Sequence, residues 1–108
     1  MSEDITVEKN DILNELYRTI LARRENRPAG SYTAYLFEQG GDKILKKIGE
    51  EATEVIIAAK NGSRDQIAAE AADLVYHLFV LLAWHDMEPG DVLAELAARR
   101  NKNLGDKT

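Results

Sequence analysis

Lys43-Ile-Leu-Lys-Lys-Ile-Gly-Glu-Glu-Ala-Thr-Glu-Val-Ile-Ile-Ala-Ala-Lys-Asn-Gly-Ser-Arg-Asp-Gln-Ile-Ala-Ala-Glu-Ala-Ala-Asp73 holds two helical patterns joined by a turn, and the rest of the fold follows from it. At about 100° per residue, Lys43, Lys47, Glu50 and Glu54 fall within about 60° of one another, with Lys46 and Glu51 at the margins of that face. Ile44, Leu45, Ile48, Ala52, Val55, Ile56 and Ala59 occupy the opposite side, so one face is core and the other carries acids and lysines. After Asn61-Gly62, Glu70 and Asp73 are one helical turn apart and His77 lies one turn further, all on one stripe of the next helix. A short turn favours antiparallel packing, which lets the two acidic stripes face each other.

That arrangement gathers Glu50, Glu51, Glu54, Glu70 and Asp73. Two like charges about 4 Å apart repel by about 1 kcal/mol in water and about 4 kcal/mol at an effective dielectric near 20, so the acids need neutralising. A divalent cation does this most simply. Oxygen ligands without cysteine favour Mg²⁺, or Mn²⁺, over zinc, and helix-borne carboxylates do not make the looped calcium cage. Either acidic pair alone reads as an ordinary salt-bridged helix face; the two pairs on adjacent helices point to a site. Lys43, Lys46 and Lys47 lie up to two turns before the acids and suit anionic phosphates, although pairing with Glu50 and Glu51 explains them too. His77 fits either a hydrogen-bonded core histidine or a group that orients a carboxylate or touches a ligand.

Outward from this stretch, the apolar spacing of Ile12, Leu13, Leu16, Tyr17, Ile20 and Leu21 predicts a helix from near Val7 to near Arg24. Arg23, Arg24 and Arg27 form either a solvated helix end or part of an anion site. Ser31 can cap a short helix, Tyr32 to Gln39, stopped by Gly40-Gly41. The stretch around it is a capped turn or a substrate loop presenting the Tyr32 and Thr33 hydroxyls. Asp42 is the expected cap of the helix from Lys43 to Lys60, and Ser63, with Gln66 in a capping box, of the helix running to about His85. That helix is apolar nearly all round, which predicts a central position in a bundle and makes its acids conspicuous. Phe79 and Trp84 read as packing residues. Pro89 then opens a last amphipathic helix carrying Val92, Leu93 and Leu96, and the polar tail from Arg99 is expected to fray.

A chain of 108 residues, 44% hydrophobic and 31% charged, has room for one domain spanning 1–108, and no repeat or linker divides it. Its helix-forming composition and the lack of period-two alternation predict an all-α fold. A net charge of −5 argues against general nucleic-acid binding. The absence of cysteine removes disulfides, thiolate metal sites and a cysteine nucleophile. The N-terminus lacks a secretory pattern, and the apolar run Leu74 to Trp84 falls short of the roughly 20 residues that span a bilayer, so a cytoplasmic protein without membrane contact is expected.

Ser31-Tyr32-Thr33, Lys47-Ile-Gly-Glu-Glu-Ala-Thr-Glu54 and Glu70-Ala-Ala-Asp73-Leu-Val-Tyr-His77 together closely resemble the phosphoribosyl-ATP pyrophosphohydrolase family of histidine biosynthesis. The resemblance covers nearly the whole chain. It implies an all-α helical bundle of the MazG-like nucleotide pyrophosphohydrolase type, completed by dimerisation, and Mg²⁺-dependent hydrolysis of 1-(5-phosphoribosyl)-ATP to 1-(5-phosphoribosyl)-AMP and pyrophosphate. It assigns metal binding to Glu51, Glu54, Glu70 and Asp73, and marks Glu50 as a site residue. From there Glu50 is the candidate general base, and Tyr32, Thr33, Lys43, Lys46, Lys47 and His77 are candidate substrate contacts. The alternatives are a housecleaning enzyme acting on free nucleoside triphosphates and a non-catalytic helical oligomerisation module. The first shares acids and metal; the second predicts no Mg²⁺ binding.

Overall fold

The structure is a computed structural model describing residues 2–100, with side chains described from Asp11 onward. The described residues form five helices and no strand: α1 (Ser2–Glu25), α2 (Tyr32–Gln39), α3 (Gly41–Asn61), α4 (Arg64–Trp84) and α5 (Pro89–Arg99). The all-α expectation therefore holds. α1 reaches back to Ser2, beyond the apolar pattern that begins at Ile12, because a nucleated helix extends at little cost per residue. The expected fraying of the tail concerns residues that, beyond Arg100, lie outside the described ones.

α3 and α4 make the most extensive helix pair, a hairpin closed by Gly62 at φ +73°, whose amide donates back to the Ala58 and Ala59 carbonyls. Ser63 caps α4 by accepting from the Gln66 amide at 3.2 Å, and Ser31 caps α2 by accepting from the Ala34 amide at 3.1 Å. The capping of α3 departs from expectation. Asp42 sits inside the first turn, and Gly40 serves both as the end of α2 and as the cap of α3. Gly40 has φ +95°, a conformation a side chain would strain, and this lets the chain reverse between helices without a linker. Gly41 is required by contact instead: a Cβ there would stand 2.9 Å from Trp84 Nε1. Trp84 in turn stacks on Phe37, ring centroids 6.5 Å apart.

The core joins Tyr17 and Ile20 of α1, Leu36 and Phe37 of α2, Ile44 of α3, and Val80 and Ala83 of α4. Ile20, Leu36, Ile44 and Val80 are essentially sealed from solvent, each contributing roughly 1.5–3 kcal/mol of burial. Arg24 ties α1 to the end of α4, donating to the Ala83 carbonyl at 2.7 Å and to the Asp86 carboxylate at 2.9 Å. Arg24 thus takes the helix-end role among the three arginines.

α4 is not enclosed by the described residues. Its buried residues are His77, Val80 and Ala83, while Val75 and Leu78 remain exposed. Together with Leu13 and with Val92 and Leu93 of α5, they line an apolar groove of about 430 Å³. The apolar surplus that predicted a central helix is therefore divided between the core and this open groove. α4 is also, by length and composition, long and apolar enough to cross a membrane. The Leu74–Trp84 run alone understated this, because Ala68, Ala69, Ala71 and Ala72 extend the apolar character through the acidic turn.

Candidate active site

The α3–α4 hairpin brings Glu51, Glu70 and Asp73 together, with one carboxylate oxygen from each lying within 4.8 Å of the others. The reason is register. Glu51 and Asp73 stand at nearly equal distances before and after Gly62, so antiparallel packing sets them side by side, and Glu70 follows one turn from Asp73. Glu54 is outside this triplet yet close enough to act on it. The Glu70 carboxyl is raised above its ordinary value, first by desolvation, then by the charges of Glu54, Asp73 and Glu51. No lysine or arginine among the described residues pairs with Glu70 or Asp73. Several oxygen donors, mutually repelling and short of cations, fit a hard divalent ion.

Lys47 sits at the margin of the acids, 3.2 Å from Glu50 and 3.8 Å from Glu51. Its ammonium is held charged above its ordinary range chiefly by the bond to Glu50. Glu50 is half-exposed and belongs to this ion pair rather than to the close triplet. Lys43 lies over the Tyr35 ring, 5.8 Å from its centroid, and Lys46 is exposed with no ion pair among the described residues.

His77 is 5% exposed, and its hydrogen bonds fix its tautomer. Nδ1 stands 2.7 Å from the Asp73 carbonyl oxygen, which only accepts, so Nδ1 carries the proton. Nε2 is left as an acceptor and accepts a hydrogen bond from the Tyr32 hydroxyl, 3.0 Å away. His77 thus connects the start of α2 to the turn of α4 that carries Asp73. Thr33 makes the parallel connection, its hydroxyl bonding the Tyr76 hydroxyl. The Tyr32 phenol is pushed up by desolvation, with Lys47 opposing, so Tyr32 is close enough to the lysine to feel its charge.

Above this layer, Tyr32, Tyr35, Arg27 and Glu38 line an open cavity of about 660 Å³ beside the connection from α1 to α2. Tyr35 and Glu38 were not anticipated from sequence. Their spacing after Tyr32 is that of an ordinary short amphipathic helix, and only the bend at Pro28-Ala-Gly30 turns that face into a cavity wall.

Comparison with known proteins gives the family of the chain. Residues 13–100 match the family model described as phosphoribosyl-ATP pyrophosphohydrolase. The chain is 69% identical over 94 residues to a phosphoribosyl-ATP pyrophosphatase of Pelotomaculum thermopropionicum, covering 87% of this chain and 96% of that one. It is 55% identical over 92 residues to a phosphoribosyl-ATP pyrophosphatase of Geobacter sulfurreducens, 85% of each chain. A histidine biosynthesis bifunctional protein of Bacillus subtilis is 50% identical over 101 residues, which are 94% of this chain and 48% of that one. With the match spanning α2 to α5 and most of α1, the chain belongs to the phosphoribosyl-ATP pyrophosphohydrolase family.

Proposed function

We propose that the protein is a hydrolase of histidine biosynthesis that cleaves 1-(5-phosphoribosyl)-ATP to 1-(5-phosphoribosyl)-AMP and pyrophosphate, with Mg²⁺ as cofactor and Mn²⁺ as the alternative ion. The observation that carries it is the convergence of Glu51, Glu70 and Asp73 from two helices in a chain of this family. These three, with Glu54 beside them, would hold the ion. When bound, it supplies Lewis-acid polarisation of the phosphate oxygens and neutralises their charge.

In this reading a water attacks the α-phosphorus, a new phosphorus–oxygen bond forms, and the α–β anhydride bond breaks as pyrophosphate leaves. Glu50 accepts the proton of that water, with the Lys47 ammonium 3.2 Å away. Lys47, with Lys43 and Lys46 on the same helix, offsets the charge that grows on the departing phosphates. His77 and Tyr32 hold the start of α2 against the Asp73 turn, so Tyr32 and Thr33 stand at the substrate's edge.

The apolar groove beside α4 supports a homodimer, a second copy covering Leu13, Val75, Leu78 and Leu93. The acidic balance and a soluble nucleotide substrate fit a cytoplasmic protein that binds neither nucleic acid nor membrane. The test offers phosphoribosyl-ATP and ordinary nucleoside triphosphates side by side, measuring pyrophosphate release with and without Mg²⁺. Release from phosphoribosyl-ATP that requires Mg²⁺, and that is lost in Glu54→Ala and Asp73→Ala with helix content retained, is expected. Preference for free triphosphates, or full activity in either variant, rejects the assignment.

A further inference from the structure

The cavity beside the α1–α2 connection is roomy and polar-rimmed, and of its lining only Tyr32 has a part in the reaction described so far. Its volume, about 660 Å³, lies in the range of small-molecule sites. Two tyrosines form part of its wall: Tyr32 and Tyr35 are 44% and 40% exposed, and their rings stack at 28° with centroids 6.1 Å apart. Tyr32 also stacks on Tyr76 and Lys43 lies over Tyr35, so the exposed remainder of the two rings is the π surface open to a ligand. Arg27 lines the cavity as well. Its Nε donates to the Arg24 carbonyl at 3.0 Å, which anchors the guanidinium, and no carboxylate among the described residues pairs with it. Glu38 adds a carboxylate acceptor to the same wall.

The cavity is also tied to the acids. Tyr32 lines it and at the same time donates a hydrogen bond to His77 Nε2, while His77 Nδ1 donates to the Asp73 carbonyl. A nucleotide whose phosphates reach the acidic cluster would therefore extend its other end past Tyr32 into this space.

We propose that this cavity is the subsite for the base end of the substrate, with Tyr35 and Tyr32 stacking against the purine, Glu38 accepting from sugar hydroxyls, and Arg27 pairing with the far 5-phosphate. The assignment rests on the phosphoribosyl nucleotide reading above and adds to it which residues tell this nucleotide from one lacking the second phosphoribosyl group. A guanidinium anchored through Nε keeps its terminal nitrogens for a phosphate, and a carboxylate beside it disfavours a bare polyphosphate in the same place.

Calorimetry with 1-(5-phosphoribosyl)-AMP and with AMP as probes separates this from the hydrolysis itself. Wild-type protein binds the phosphoribosyl nucleotide more tightly than AMP. Tyr35→Ala weakens both by about ten-fold, in line with the loss of one stacking platform, whereas Tyr35→Phe, which keeps the ring, binds as wild type. Arg27→Ala lowers the affinity for 1-(5-phosphoribosyl)-AMP by about ten-fold and leaves AMP unchanged. Unaltered binding in Tyr35→Ala and Arg27→Ala with intact helix content, or wild-type protein that binds neither probe, overturns the subsite. If Tyr35→Ala and Arg27→Ala lose binding as stated while wild-type protein releases no pyrophosphate, the subsite stands and the hydrolytic reading falls.

Discussion

Replacing Tyr32 by phenylalanine isolates one hydrogen bond and leaves the aromatic stack in place. The ring still lies against Tyr35 and Tyr76, whose centroids are 6.1 and 6.2 Å away, so little packing is lost. What changes is His77. Its Nδ1 proton is committed to the Asp73 carbonyl, and its Nε2, on a side chain 5% exposed, has the Tyr32 hydroxyl as its partner. Every buried side-chain nitrogen and oxygen among the described residues now has a partner, and the substitution creates an exception. An orphaned buried acceptor costs about 1–3 kcal/mol, equivalent to a melting temperature lowered by at least about 4 °C in a protein of this size. The assay is equilibrium urea unfolding at one fixed protomer concentration, because assembly would otherwise enter the comparison. His77→Phe and the double variant complete a cycle. With both polar partners gone, the cost of Tyr32→Phe should shrink toward zero, giving a coupling of about 1–3 kcal/mol. Equal stability for wild type and Tyr32→Phe, or strict additivity in the double variant, would refute the tautomer and the connection it makes.

The raised Glu70 carboxyl gives a pH dependence with a definite sign. Folded protein holds the Glu70 proton more tightly than unfolded protein, so this group's contribution falls as pH rises from the ordinary carboxylate range through its raised value. In chelator-treated protein, the melting temperature of wild type minus that of Glu70→Gln should decline over that window; a rising difference contradicts the crowding. Mg²⁺ should raise the wild-type melting temperature above the window and have little effect below it, measured by calorimetric scanning. Leu78→Asp places a charge in the α4 groove, and sedimentation should then show monomer where wild type shows dimer at micromolar concentration; monomer in both removes the dimer proposal. Gly41→Ala sets a methyl 2.9 Å from Trp84 Nε1, pushing the indole off Phe37. Overpacking costs about 1–3 kcal/mol, and emission from this single tryptophan should shift to longer wavelength.

What the sequence revealed best was whatever depends on period and spacing. The α3–α4 hairpin, the Ser31 and Ser63 caps, and the meeting of Glu51 with Glu70 and Asp73 all follow from a 3.6-residue repeat and one short turn. It failed where a residue's role depends on a neighbour distant in the chain. Asp42 looked like a cap because aspartate before an apolar run usually is one, but Gly40 reverses the chain a step earlier and Trp84 holds Gly41 in place. The even apolarity of α4 could not distinguish its buried face from the one that carries the exposed Val75 and Leu78. The tyrosine pattern of α2 gave no sign that the preceding bend would open a cavity beside it.

α4 passes the length and composition requirement for a bilayer-spanning segment, yet two of its three carboxylates, Glu70 and Asp73, lie well inside its 21 residues. Acids at that depth are costly in hydrocarbon, so the residues assigned to phosphate chemistry also discourage a newly made chain from partitioning into lipid. Neutralising both at once would remove that safeguard, and such a variant should be recovered partly with membranes even where its single counterparts stay in the aqueous fraction.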